Sequence, residues 1–268
     1  LDVRTVPTRW YCPCRPMASF KLRVDLPTYR RRSKLTEIAR GEHMSLSKYK
    51  YVDASGTQKI WEVAERCHKT KNTDADSVCA LPILHLMLKY DCLVLVKQYR
   101  PSVKAFTLEL PAGIVESPET SSQQSALRRL NSQTGYTSTG VKQVSPLTAS
   151  DPIHTTCTTK IVSVDINGDD LLNLNAQQKF AEGEFYEVVQ IPMNDVLERL
   201  NDYSDEGYVI DSRVYTFAIG LSMGLKMGSE RNGVKEDDVQ FVTNIIDHLK
   251  EDSRPEPSLT SLSLTSSS

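Results

Sequence analysis

The stretch SVCALPILHLMLKYDCLVLVKQYR, residues 77–100, constrains the fold more than any other part of the chain. Two short apolar runs flank the polar break KYD, which is the mark of two strands joined by a turn. Neither run approaches the roughly 20 apolar residues that a bilayer-crossing helix needs, so both have to be buried within the protein. The pattern also occurs upstream in KYKYVDASGTQKIWEVAER, where DASG separates two extended segments. TKIVSVDI and FYEVVQI add further short, β-branched strands. Helical signals are fewer. Residues 118–134 open with Pro118 and Glu119, suited to a first turn, and stop at Gly135. Residues 193–203 and 211–228 follow, and 236–251 spaces Val239, Val242, Ile246 and Leu249 along one helical face. Strands and helices in this order imply a mixed sheet covered by helices, an α/β fold of the α+β type.

Charge narrows the partners. A formal charge of -2 lacks the basic excess of general polyanion binders, so neither nucleic acid nor a membrane is expected as a partner. The six cysteines are too few and too scattered for a disulfide-built domain. YCPC, at 11–14, has no matching pair or histidine cluster for zinc. A reducing compartment is expected, cytoplasmic or nuclear. The ends differ from the middle. Residues 1–36 carry nine Lys or Arg against two acids, the bias of mitochondrial transit segments, and Met17 within them offers a start. We therefore expect a flexible basic extension over 1–42, a domain over 43–228, a helix over 229–252 and a disordered Ser-rich tail over 253–268.

The chemistry gathers at 109–136. ELPAGIVESPET is followed by a helix containing LRRL and then by TGY. This resembles the Nudix box: Gly, five residues, Glu, seven residues, then Arg-Glu-aliphatic-x-Glu-Glu-x-Gly and an aliphatic or aromatic residue. Gly113, Glu119, Arg128, Leu130, Gly135 and Tyr136 hold the marks. WEVAER, CLVLVKQYRP, LELPAG, SDPIHTTC, VDINGDD, EGEFYEV and DSRVYTFAIGL extend the likeness over roughly 45–228, to the ADP-sugar pyrophosphatase branch of that superfamily.

The resemblance implies an α/β/α sandwich with a mixed sheet and an N-terminal antiparallel hairpin region. It also implies a homodimer, a nucleoside diphosphate sugar such as ADP-ribose as ligand, and Mg or Mn as cofactor in an active enzyme. Attack of water on a diphosphate needs its charge neutralised and the water activated, which magnesium on oxygen ligands accomplishes. By this likeness the Ala112 carbonyl, Glu116 and Glu119 are metal ligands, and Glu119, Glu184 and Arg128 are catalytic. Trp61 would stack on adenine beside Glu62 and Arg66, with His43 near a second stacking position. Asp76 and Arg100 would face ribose and phosphate. Several have a plainer alternative: Trp61 as hairpin packing, Glu184 as a strand-edge acid, Arg100 as a strand-end cation, Glu116 and Glu119 as helix-dipole partners. The usual loop glycine over the sugar is Ile153, which implies a stiffer loop.

The box departs from its pattern where the metal would sit. Carboxylates three and four residues apart share one helix face and make a metal platform. Those positions here are Arg129, Ser132 and Gln133, and eight residues instead of seven separate Glu119 from Arg128. A guanidinium about 4 Å from a dication would repel it by about 8 kcal/mol at an effective dielectric near 20. Two readings follow. Metal-dependent hydrolysis is weakened or lost, or it survives on Glu116, Glu119 and Glu184. Arg129 is either a phosphate partner in place of the metal or part of a solvated helix face.

Overall fold

The computed structural model describes residues 35–53, 55–67, 73–116, 121–180 and 185–231. It divides into two compact units, one of residues up to His68 with Asp151–Thr156, the other of Lys69–Ser150 with residues from Cys157 on.

The smaller unit is a three-stranded antiparallel sheet of β1 (Leu35–Arg40), β2 (Met44–Val52) and β3 (Gln58–Arg66). The DASG signal is its β2–β3 turn. Asp53 accepts from the backbone N–H groups of Ser55 and Thr57 at 2.9 and 3.0 Å, and its own N–H donates to the Thr57 carbonyl, so carboxylate and backbone close the turn together. β1 falls in the stretch expected to be a flexible extension, so strand structure begins before position 43. All six of its residues are exposed, which is why no apolar alternation announces it. Residues before 35, the expected helix at 236–251 and the Ser-rich tail lie outside the described residues.

The larger unit is built on a nine-stranded mixed sheet. Its central strands are β4 (Ser77–His85) and β5 (Cys92–Arg100), the two apolar runs on either side of KYD. β10 (Thr158–Asn167) pairs parallel to β4, while β5 pairs antiparallel with β6 (Ala105–Glu109) and β11 (Glu187–Pro192). β7 (Ala112–Ile114) and β8 (Gly140–Val144) extend β4 and β10, β9 (Thr148–Ala149) pairs with β10, and β12 (Val209–Ile210) pairs parallel to β6.

Period-two alternation sends successive side chains to opposite faces and explains why both runs read as almost continuously apolar. Val78, Ala80 and Leu84 of β4 meet Ala126 and Leu130 of helix α1 (Ser122–Thr134) on one face. Cys79 of β4 with Leu93 and Leu95 of β5 meets α3 (Val196–Asp205) and α4 (Ser212–Arg231) through Leu200, Val214 and Ala218 on the other. A short helix α2 (Leu171–Leu174) follows β10. The larger unit is thus the expected α/β/α sandwich. Fully burying each Leu or Val of these layers stabilises it by about 1.5–3 kcal/mol.

Candidate functional site

The candidate site lies where α1 crosses β7. α1 starts because Ser121 caps it, its hydroxyl accepting from the Gln123 N–H at 3.3 Å. It ends because Gly135 adopts φ 79°, the left-handed region, and donates to the Asn131 carbonyl. A Cβ at Gly135 would sit 2.6 Å from the Gln177 nitrogen, so the close approach of 176–177 also demands glycine. The strand partly explains the remainder. Pro111 and Val115 bond to β4 through Ala80 and Asp76, which turns the backbone groups of Ala112 the other way.

The side chains of α1 meet that open edge. Gln133, 3% exposed, donates from Nε2 to the Ala112 carbonyl and accepts at Oε1 from the Ala112 N–H, both at 3.0 Å. Its carboxamide closes Ala112 as another strand would. One turn earlier Arg129 lies over Gly113, where a Cβ would come 2.6 Å from its Cδ and closer still to Nε; glycine makes room for the guanidinium. Arg129 Nη2 donates to Glu116 Oε1 at 2.5 Å, and Arg128 Nη2 stands 3.4 Å from Glu116 Oε2. Ser132 shares the face but turns back to the Arg129 carbonyl at 3.2 Å.

The residues this arrangement brings together are therefore Ala112, Glu116, Arg128, Arg129 and Gln133. Chemically it is an arginine-carboxylate cluster beside a capped backbone carbonyl. It does not fit a divalent cation: the carbonyl expected as a ligand is occupied by an N–H donor, and Glu116 is paired to guanidinium. Among the described residues no group of three or more His, Cys, Asp or Glu side chains is placed to hold a metal. Glu119 and Glu184 lie outside the described residues. α1 itself is uninterrupted from Ser122 to Thr134, so the extra residue of the box makes no bulge within it.

The other expected residues have separate partners. Asp76 Oδ2 accepts from Thr158 N–H at 2.9 Å and Thr158 Oγ1 at 2.8 Å, tying β4 to β10. Arg100 forms a two-pronged pair with Glu109, 2.7 Å from Nε and 2.6 Å from Nη2. In the smaller unit Trp61 is 43% exposed and its indole N–H donates to the Ile153 carbonyl at 2.9 Å. Glu62 stands opposite Lys48 in the β2–β3 register, Arg66 opposite Met44, and the His43 carbonyl accepts from Cys67 N–H.

Sequence reasoning passed over two charged clusters. Glu109 is buried and accepts from Thr107 Oγ1 at 2.5 Å as well as from Arg100; nearby, Arg213 grips Asp211 at 2.9 and 2.5 Å. Burial pushes the Asp211 carboxyl up, but the Arg213 guanidinium outweighs it and holds it below the usual range. The available signal was an acid within an apolar strand, LEL. The second cluster is His85, whose Nδ1 lies 3.0 Å from Asp91 and Nε2 3.2 Å from Asp165. Burial pulls its pKa down, but the hydrogen bonds to Asp165 and Asp91 win and raise it.

No family model matches the chain. A mouse (Mus musculus) ADP-sugar pyrophosphatase is 38% identical over 69% of this chain and 84% of its own length. A Nudix hydrolase of Schizosaccharomyces pombe is 36% identical over 68% of this chain and 87% of its own. The crystal structure of an ADP compounds hydrolase superposes with a TM-score of 0.51, covering 75% of this chain and 95% of that one at 15% identity, a likeness of fold. With the box frame of Gly113, Arg128, Leu130, Gly135 and Tyr136 around α1 and this extent of identity, the chain belongs to the Nudix hydrolase superfamily, in its ADP-sugar pyrophosphatase branch.

Proposed function

We propose that this protein holds a nucleoside diphosphate sugar such as ADP-ribose and that its metal-dependent hydrolysis is weakened or lost. The observation that carries the reading is the Gln133 carboxamide, hydrogen-bonded to both backbone groups of Ala112 at 3.0 Å. A metal recruited to that carbonyl would have to break this pair and would meet the Arg129 guanidinium beside it. Ligand binding is supported by the similarity to the mouse ADP-sugar pyrophosphatase and by the exposed ring of Trp61, an aromatic surface suited to a purine. Exposed Leu35, Leu46 and Ile60 on the small sheet support a homodimer. Free thiols at Cys67, Cys79, Cys92 and Cys157 support a reducing compartment, cytoplasmic or nuclear.

A second reading is an active diphosphatase that uses Mg or Mn and releases AMP and a sugar phosphate. It is favoured by the 38% identity to the mouse enzyme and by Glu119, retained in sequence. Incubation with ADP-ribose and Mg or Mn, with AMP measured by chromatography, separates the two. Ordinary enzymes turn over at about 1–1000 per second. The first reading expects the protein to fall more than about a hundredfold below that range. Turnover inside that margin would refute it. The triple change Arg129→Glu, Ser132→Glu, Gln133→Glu restores the box carboxylates and is expected to raise AMP release in the presence of Mg.

A further inference from the structure

The inference rests on the reading above, that a diphosphate ligand is held without a metal platform, and it concerns the group that takes the metal's place. Among the described residues of the larger unit, the guanidinium-carboxylate pairs differ in geometry. Arg100 on Glu109 and Arg213 on Asp211 each use Nε and Nη2 together, the fork geometry that guanidinium and carboxylate share. These are pairs that lock the fold. Arg129 is different. Its side chain is 13% exposed, yet it meets Glu116 through Nη2 alone, and its Nε is buried with no hydrogen-bond partner. A buried donor left unmatched is unfavourable, and here the guanidinium lies against Gly113, where the missing Cβ makes room for it. Glu116, by contrast, is 46% exposed and bridges toward both Arg129 and Arg128.

A carboxylate set between two guanidinium groups is the arrangement that a phosphate oxyanion would also adopt. We propose that Arg129 is the phosphate-binding cation of this protein, and that Glu116 is an internal anion which occupies it until the diphosphate of the ligand displaces it. A diphosphate carries more charge than one carboxylate and presents several oxygens, so it can take Arg129 Nη2 and the Arg128 guanidinium together, the two groups Glu116 now faces. Positive charge at this position comes from α1 itself, so binding does not depend on magnesium. Glu116 acts as a competitor for the site: while it is paired, affinity is reduced, and removing its charge opens the cation.

The test is calorimetric titration of inorganic pyrophosphate, and separately of ADP-ribose, into the full chain in EDTA and again in magnesium. The Kd is expected to agree within about twofold between the two conditions. Arg129→Gln should weaken binding by about tenfold or more, the scale of a lost charged hydrogen bond. Glu116→Gln should tighten it several-fold, a gain that a misfolded variant cannot mimic. Binding that appears only with magnesium overturns the proposal, as does a Glu116→Gln variant that binds no tighter than the parent. ADP-ribose binding in EDTA that Arg129→Gln leaves unchanged also overturns it, by placing the affinity in the nucleoside. Failure of the functional reading shows differently: AMP release by the parent protein would sink that reading while binding in EDTA through Arg129 still stood.

Discussion

Replacing Gln133 with Glu changes one NH2 group to an oxygen in a side chain that is 3% exposed, and its consequences can be worked from two hydrogen bonds. The bond from Ala112 N–H to the side-chain oxygen, 3.0 Å, survives, whereas the 3.0 Å bond from Nε2 to the Ala112 carbonyl is lost. An acceptor now faces an acceptor. Leaving the carbonyl without its donor costs about 1–3 kcal/mol. Burying the new charge adds to this, at about 1.4 kcal/mol for each unit by which the carboxyl pKa is raised. A total near 3 kcal/mol lowers the melting temperature by about 6–12 °C for a domain of this size. The pH dependence has a definite sign. Burial and the facing carbonyl raise the folded pKa above the unfolded value of about 4.3. Below that value both states hold the proton, and the protonated acid can donate to the Ala112 carbonyl, so little stability is lost. As pH rises above it, the unfolded state releases the proton first and the penalty grows until the folded pKa is passed. Magnesium should leave both the variant and the parent unchanged, because the Arg129 guanidinium over neighbouring Gly113 still opposes a dication at the freed carbonyl. The assay is thermal unfolding by calorimetry between pH 4 and 8, roughly spanning the titration, in EDTA and in magnesium. A variant that melts with the parent throughout that range in EDTA would refute the claim that Gln133 holds Ala112 closed.

Two further predictions concern the clusters outside the box. His85 faces carboxylates with both ring nitrogens, and only the imidazolium can donate to both. Its raised pKa means its contribution is fully present below about 6.5 and is lost as pH rises through the folded value. The site is partly exposed, so His85→Gln should cost roughly 0.5–1 kcal/mol at pH 6 and less at pH 9, read by urea denaturation at both. Arg100→Ala strands the buried Glu109 carboxylate with Thr107 and Gln98 as its remaining donors. The expected loss is about 2–4 kcal/mol. Arg100→Lys, which keeps charge without the fork, should cost less. Equal urea midpoints for parent and Arg100→Ala would show that the pair is not structural.

Much of the fold was legible because its signals are local. The apolar runs of β4 and β5 are bounded by KYD, Gly135 ends α1, and DASG lies between β2 and β3. Strands whose side chains do not alternate were not legible. β1 is wholly exposed, and β9 and β12 are two residues each, so all three exist through the partner strands that pair with them. The site divides the same way. The missing carboxylates at 129, 132 and 133 can be read from the box spacing alone. Nothing in that spacing shows that Asp76 binds Thr158 or that Arg100 binds Glu109, because those bonds depend on strand register.

The sequence by itself determined the superfamily, the position of the box and the change of charge within it, since each depends on residue identity at fixed separations along the chain. Tertiary structure decided what the replacements do. Gln133 and Ala112 are 21 residues apart, and only the crossing of α1 over β7 makes a carboxamide at one a cap for both backbone groups of the other. The same crossing seats Arg129 on Gly113 and aims it at Glu116, because hydrogen bonds and ion pairs form at distances of a few ångströms that the folded backbone sets.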